Sequence, residues 1–254
     1  MFPFGNDTFW LSFRKQITRN ELIVKYSTNQ KQNPKAMAKK KAKIYDEAEL
    51  IEIFGLERLG GNDAHPLMKE WTQISAATLI PSEEYLFDYI TEDLVNKIVG
   101  WNEEMLKMNF ISPVLILGHI KETKAYKTYY ENTIEATVDG YFLKTKADMM
   151  IAKGILERPK TPYFYFQEYK KVKEPKRDVT AQVLEAFLIS QENNKNGKPL
   201  YGCTVSGKFW EFMIMEHRTY CISKSYDCTE KEDLLKIIAI LRKFKVILET
   251  TLLD

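Results

Sequence analysis

Cysteine and histidine are scarce in this chain, with three of each in 254 residues. Cys203, Cys221 and Cys228 are odd in number and form no C-x-x-C pair. That excludes a disulfide framework and a Cys/His zinc site as organising devices. Reduced thiols and a cytoplasmic setting are the expectation. No apolar run approaches the ~20 residues that span a bilayer, so no membrane association is expected. The opening MFPFGNDTFWLSF lacks the basic start and clean apolar stretch of a secretion signal. A dominant charge is also missing, because 37 Lys and Arg against 35 Asp and Glu leave a net charge of +2. Any affinity for a polyanion must therefore come from local patches.

What is present is ample material for a core, with 44% hydrophobic and 13% aromatic residues. Residues 1–45 read as a polar arm, with six lysines from Lys31 to Lys43, and Met37 is an alternative start. Asp46–Leu59 (DEAELIEIFGLERL) has helical apolar spacing and acids in its first turn. The two together suggest an accessory arm and helical cap over 1–84, with the main domain over 85–254. A long helical stretch begins at Ser82, with Gly100 dividing it. Strands are expected in SPVLILGHI, TIEATVDGYFL, TKADMMIAK (after a Lys-Thr turn) and YFYFQEYKK. The helix VTAQVLEAFLISQENN follows, with Asp178 as its N-cap and its end at Asn196-Gly197. A meander (PLYGCTVSG, KFWEFMIME, TYCISKSYD) leads to a last helix opened by a Thr229–Glu232 capping box. The order predicts an α/β fold with a mixed central sheet between helices.

YFYFQEYKK is the most informative stretch. Alternation along a strand puts Phe164, Phe166, Glu168 and Lys170 on one face, and Tyr163, Tyr165, Gln167 and Tyr169 on the other. Bulk on both faces predicts an interior strand covered from both sides. A carboxylate and an ammonium at the rim of such a core are costly unless they bind or do something. Asp148, in the apolar strand KADMMIA, supplies a second carboxylate. Two carboxylates converging at strand ends make a hard oxygen site suited to Mg²⁺ or Mn²⁺. A nearby ammonium would hold a water and offset charge on a phosphate. E-x-K alone is weak, because Glu122/Lys124 and Glu174/Lys176 share its spacing; of the three, Glu168/Lys170 is the one in an apolar strand.

The neighbourhood adds order to these pieces. Asn102-Glu103 and Ile111-Ser112-Pro113 precede Asp148, and Gln182 in AQVLEAFL follows Glu168-Tyr169-Lys170. In this the chain resembles the PD-(D/E)xK nuclease superfamily, and in particular the nuclease domain that begins type I restriction enzyme R subunits. The resemblance covers roughly residues 85–250. It implies a restriction-endonuclease-like sheet and Mg²⁺- or Mn²⁺-dependent hydrolysis of DNA. Carried over residue by residue, it makes Asp148 and Glu168 metal ligands, with the Tyr169 carbonyl a further one. Lys170 would activate the water, Glu103 would complete the site, and Gln182 would orient Lys170 or the substrate. Lys171, Lys173, Lys176 and Arg177 would neutralise flanking phosphates. Enzymes of this kind that cut both strands often act as dimers, so a homodimer is among the expected states. Ala147 departs from the family by replacing the Pro before the Asp, Glu104 competes with Glu103, and Asp139 competes with Asp148.

Gly202-CTVS-Gly207-Lys208 matches the start of a phosphate-binding loop. Such a loop needs Ser or Thr next and a helix facing the phosphates. Phe209 and the strand pattern FWEFMIM argue against it, so no ATP is expected. The rival from another class is a non-catalytic nucleic-acid-binding or assembly module that keeps the fold.

Overall fold

The computed structural model describes residues 43–60, 65–170 and 178–253. Residues 1–42 of the expected arm over 1–45, and the basic run Lys171, Lys173, Lys176 and Arg177, lie outside the described residues. Among the described residues no helix is long and apolar enough to cross a membrane.

The chain opens with α1 (Glu47–Phe54), whose N-cap Asp46 and Glu49 form a reciprocal capping box. Then come β1 (Glu57–Arg58), α2 (Pro66–Thr72) and α3 (Pro81–Lys97). A 3-10 turn over Ile98–Gly100 ends α3, as the glycine suggested. Phe87, Ile90, Leu94 and Ile98 form its buried stripe. Next are α4 (Glu103–Leu106), a π-helical stretch (Lys107–Ile111) and α5 (Ser112–Leu117). The last of these corrects an expectation, since SPVLILGHI is helical rather than a strand. Pro113 comes just after the π-helical stretch, where the regular helical ladder is already interrupted, and a short apolar run fits either state.

The hairpin that carries the site is β2 (Lys127–Val138), β3 (Tyr141–Ile155) and β4 (Arg158–Lys170). Asp139-Gly140, both at positive φ (+49° and +85°), form the tight turn between β2 and β3. Lys144-Thr145, expected as the turn, pair within the ladder instead. An Asp-Gly pair is the stronger hairpin signal. Residues 154–162, expected as a nine-residue link, extend both strands around a turn at Leu156-Glu157. Helix α6 (Val179–Asn194) takes Asp178 as N-cap, through bonds from Thr180 and Ala181 N–H, and closes at a left-handed Lys195. Strands β5 (Leu200–Ser206), β6 (Phe209–Glu216), β7 (Thr219–Ile222) and β8 (Tyr226–Asp227) lead to α7 (Lys231–Ile247). The N-cap of α7 is Glu230 without a side-chain bond. The Thr229 hydroxyl donates instead to the Asp227 carboxylate at 2.6 Å.

The strands form one mixed eight-stranded sheet in the order β1-β7-β6-β5-β4-β3-β2, with β8 paired to β6. β4 runs parallel to β5 and antiparallel to β3, so it is interior. Helices cover both faces. One layer joins α2, α3, the helices from Glu103 to Leu117, and α7 to Met149, Tyr165 and Phe212. The other joins α1 and α6 to Met150, Phe166 and Met213. Tyr165 and Phe166 thus enter different layers, but Phe164 joins Tyr165 and Tyr163 packs with Phe166, against the expected alternation, because a register shift between Tyr163 and Tyr165 leaves Phe164 unpaired. The segment before residue 85 belongs to the same packing. β1 pairs with β7, and the buried Trp71 makes edge contacts with Tyr201 and Phe212. Phe209–Glu216 is a strand, so the glycine-rich match before it is a β5–β6 hairpin rather than a loop feeding a helix.

Candidate active site

The ladder between β3 and β4 ends at Met149↔Gln167. One step further, Asp148 and Glu168 lie directly opposite each other, and opposed residues on a sheet share a face. Their side chains are locked into each other's backbone. Asp148 N–H donates to Glu168 Oε1 at 3.3 Å, and Tyr169 N–H donates to Asp148 Oδ2 at 3.0 Å. Glu168 is 1% exposed. From α6, the Gln182 amide donates to Glu168 Oε2 at 3.3 Å. Lys170 is on the same face of β4, and its ammonium is 3.8 Å from Glu103 Oε2 at the start of α4. Glu103, Asp148, Lys170 and Gln182 line one cleft of about 450 Å³. The structure therefore brings the five expected side chains together. The two rivals part company: Glu104 points largely to solvent, and Asp139 is at the hairpin turn, bonded to Arg218 at 2.7 Å.

Burial and mutual repulsion decide the electrostatics. Desolvation pushes the Glu168 carboxyl well above its ordinary range, and the neighbouring Asp148 pushes it further. Asp148 is raised too, chiefly by desolvation, against the opposing pull of Tyr169 N–H and the Lys107 ammonium. Two buried carboxyls this close resist ionising together, and a bound cation would relieve that cost.

Sequence reasoning passed over Lys107, Glu131 and Lys146. The Lys107 ammonium is 2.8 Å from Glu131 Oε1 and 3.3 Å from Glu103 Oε1. It also lies 4.9 Å from the centre of the Tyr169 ring. Lys146 pairs with the other oxygen of Glu131. Glu131 lies on β2 between residues paired to Met149 and Ala147, hence opposite Asp148. Its φ of +54° is rare for a long side chain in a strand. No local signal marks Glu131, because its position depends on pairing across two hairpin strands. Lys107 did carry a signal, since it follows Glu103 by one helical turn.

Glu185 was also missed. It lies one turn beyond Gln182 on the wall of the same cleft, is 6% exposed, and its Oε1 has no hydrogen-bond partner among the described residues. Desolvation alone pushes its carboxyl up to about 7.

Among the described residues no group of three His, Cys, Asp or Glu side chains is placed to hold a metal ion. Asp148 and Glu168 offer two hard carboxylates, and Mg²⁺ is bound in this way, through one or two carboxylates with waters completing its shell. The donor set therefore fits a partly hydrated Mg²⁺ or Mn²⁺ better than a fully protein-caged ion.

No protein-family model matches the chain, and no curated protein matches it significantly.

Proposed function

We propose that this chain is a metal-dependent nuclease with a restriction-endonuclease-like fold, of the PD-(D/E)xK kind, hydrolysing phosphodiester bonds in DNA. The observation that carries the reading is the opposition of Asp148 and Glu168 at the end of β3 and β4, with Lys170 on the same face and the Gln182 amide on Glu168. A purely structural strand end gains nothing from two opposed carboxyls taken out of water.

In this reading Asp148 and Glu168, helped by the Tyr169 carbonyl, hold Mg²⁺ or Mn²⁺. The bound ion supplies charge neutralisation at the phosphate and a more acidic water. Lys170 holds the attacking water and offsets charge developing on the phosphate. Glu103 fixes the Lys170 ammonium, and Gln182 fixes the Glu168 carboxylate. Lys171, Lys173, Lys176 and Arg177 follow Lys170 directly in the chain, so they are available to neutralise flanking phosphates.

The test is cleavage of supercoiled plasmid and of single-stranded DNA with Mg²⁺ or Mn²⁺, beside Asp148→Ala and a chelator control. Activity lost in both controls is the expected result. Activity surviving Asp148→Ala would remove Asp148 from the site. A folded protein that binds DNA and cuts neither substrate would favour the non-catalytic binding module.

A further inference from the structure

Alternation along β4 has a second consequence. Glu168 faces the carboxylate cleft, so its neighbour Tyr169 faces the opposite layer, and there it lines a second cavity of about 550 Å³. That volume is within the range of about 300–1,000 Å³ usual for small-ligand sites. The two cavities adjoin, because Glu103 and Glu131 stand in the walls of both. The second has a different chemistry. Tyr130, Tyr169, Met108, Ile111 and Leu115 give it aromatic and aliphatic walls, with Ser112 and Glu104 as polar groups. Tyr130 is 55% exposed and Met108 71% exposed, so large apolar surface faces solvent beside a charged cleft. The Lys107 ammonium lies over the Tyr169 ring in the wall of this cavity.

We propose that this cavity receives an unpaired nucleobase of the strand whose phosphate occupies the carboxylate cleft. The proposal rests on the nuclease reading and specifies its substrate as a single-stranded or splayed nucleic-acid end. Continuity selects the occupant. A ligand that enters both cavities must present an anion to the cleft and a flat apolar ring to Tyr130, with the two covalently joined. A nucleotide meets both demands. Stacking on an aromatic ring tolerates any base, since every base has a π-face, and a thioether such as Met108 adapts its shape to what it meets. Duplex ends would have to fray before entering, a cost that is least for mismatched or already single-stranded positions.

The experiment uses the full chain, with Ca²⁺ added in place of Mg²⁺, and short single-stranded DNA oligonucleotides in which one abasic site is walked along the sequence. Binding is read by fluorescence anisotropy for the unaltered protein, Tyr130→Ala and Tyr130→Phe. The expected result is an affinity loss of about tenfold at one abasic position, the contribution of one stacked base. Tyr130→Phe should keep that position dependence, and Tyr130→Ala should abolish it while weakening the intact strand by a similar factor. Equal losses at every position, no binding to the intact strand, or unchanged binding by Tyr130→Ala would each overturn the proposal. Exchange into Mg²⁺ separates it from the catalytic reading. Cleavage without position dependence removes the pocket and keeps the nuclease, whereas position dependence without cleavage does the reverse.

Discussion

Glu185→Gln should stabilise the protein by an amount that grows as pH rises from about 4.5 and levels off above about 7. The buried carboxyl has its ionisation pushed up from 4.5 to about 7 by desolvation, with no cation paired to it among the described residues. A group raised in the folded state contributes stability that is fully present below pH 4.5. That contribution is lost progressively between pH 4.5 and about 7, where the unfolded chain is ionised and the folded one is not. Each pH unit is worth about 1.4 kcal/mol, so ionising Glu185 in place costs on the order of 3 kcal/mol at pH 8. Glutamine has nearly the same shape and never ionises, although it keeps one unpartnered polar atom at the site. The expected gain is therefore about 2–3 kcal/mol at pH 8 and close to zero below pH 4.5. For a chain of this size that is a rise in Tm of roughly 5–10 °C. Urea unfolding of both proteins without divalent ions, at matched pH values from 4 to 9, measures the difference directly. Asp148 and Glu168 titrate in both proteins and cancel in that difference. A gap between the two that does not change with pH would refute the reasoning, since it would mean that Glu185 does not ionise in this window.

Two further outcomes follow from the same geometry. Mg²⁺ should raise Tm by an amount that grows with pH, because the ion competes with the proton that Glu168 retains, and at a hundred times its Kd it adds about 2.7 kcal/mol. Differential scanning fluorimetry of Asp148→Asn should show that increment lost, and an unchanged increment would place the ion elsewhere. Gly202→Ala should cost roughly 1–3 kcal/mol, since an added Cβ would meet the Phe166 carbonyl oxygen at 2.6 Å and the Phe187 ring at 3.0 Å. Phe187 is on α6, so the displaced helix carries Gln182 with it, and cleavage should fall by more than the folded fraction does; equal falls would separate the glycine from the site.

Much of the site was legible because its residues mark themselves locally. An aromatic run that ends in Glu168 and Lys170 has too little polar surface for an exposed strand, and it proved interior on both faces. Asp178 followed by an apolar helix gave the start of α6, and with it the reach of Gln182. Legibility failed where two states compete over a short apolar run, as at Ser112–Leu117, which is helical because tertiary packing buries Val114, Leu115 and Leu117. It failed again at Gly202, whose partner in the phosphate-loop pattern, Gly207, serves a hairpin at φ +59°. Gly202 itself is there because the Phe166 carbonyl of β4 and the Phe187 ring of α6 leave no room for a Cβ. Neither reason is visible in the seven residues of the motif.

The pairing that makes the site is the clearest case of information the sequence does not display. Near its turn the β3–β4 hairpin pairs Ile155 with Arg158, Gly154 with Pro159 and Lys153 with Lys160. Continued without change, that register would bring Asp148 opposite Tyr165, a residue of the other face. Two register shifts, between Lys153 and Ala152 and between Ala152 and Ile151, add three residues on β4. Met149 consequently pairs with Gln167, and Asp148 reaches Glu168. A shift of one or two residues would instead set Phe166 or Gln167 opposite Asp148. Bulges of this kind re-aim side chains near functional sites, and here they set which carboxylate faces which. The apolar pattern alone tolerates either register, since β4 is bulky on both faces. The irregular stretch of the hairpin, far from any ionisable group of the cleft, is therefore what selects the pair.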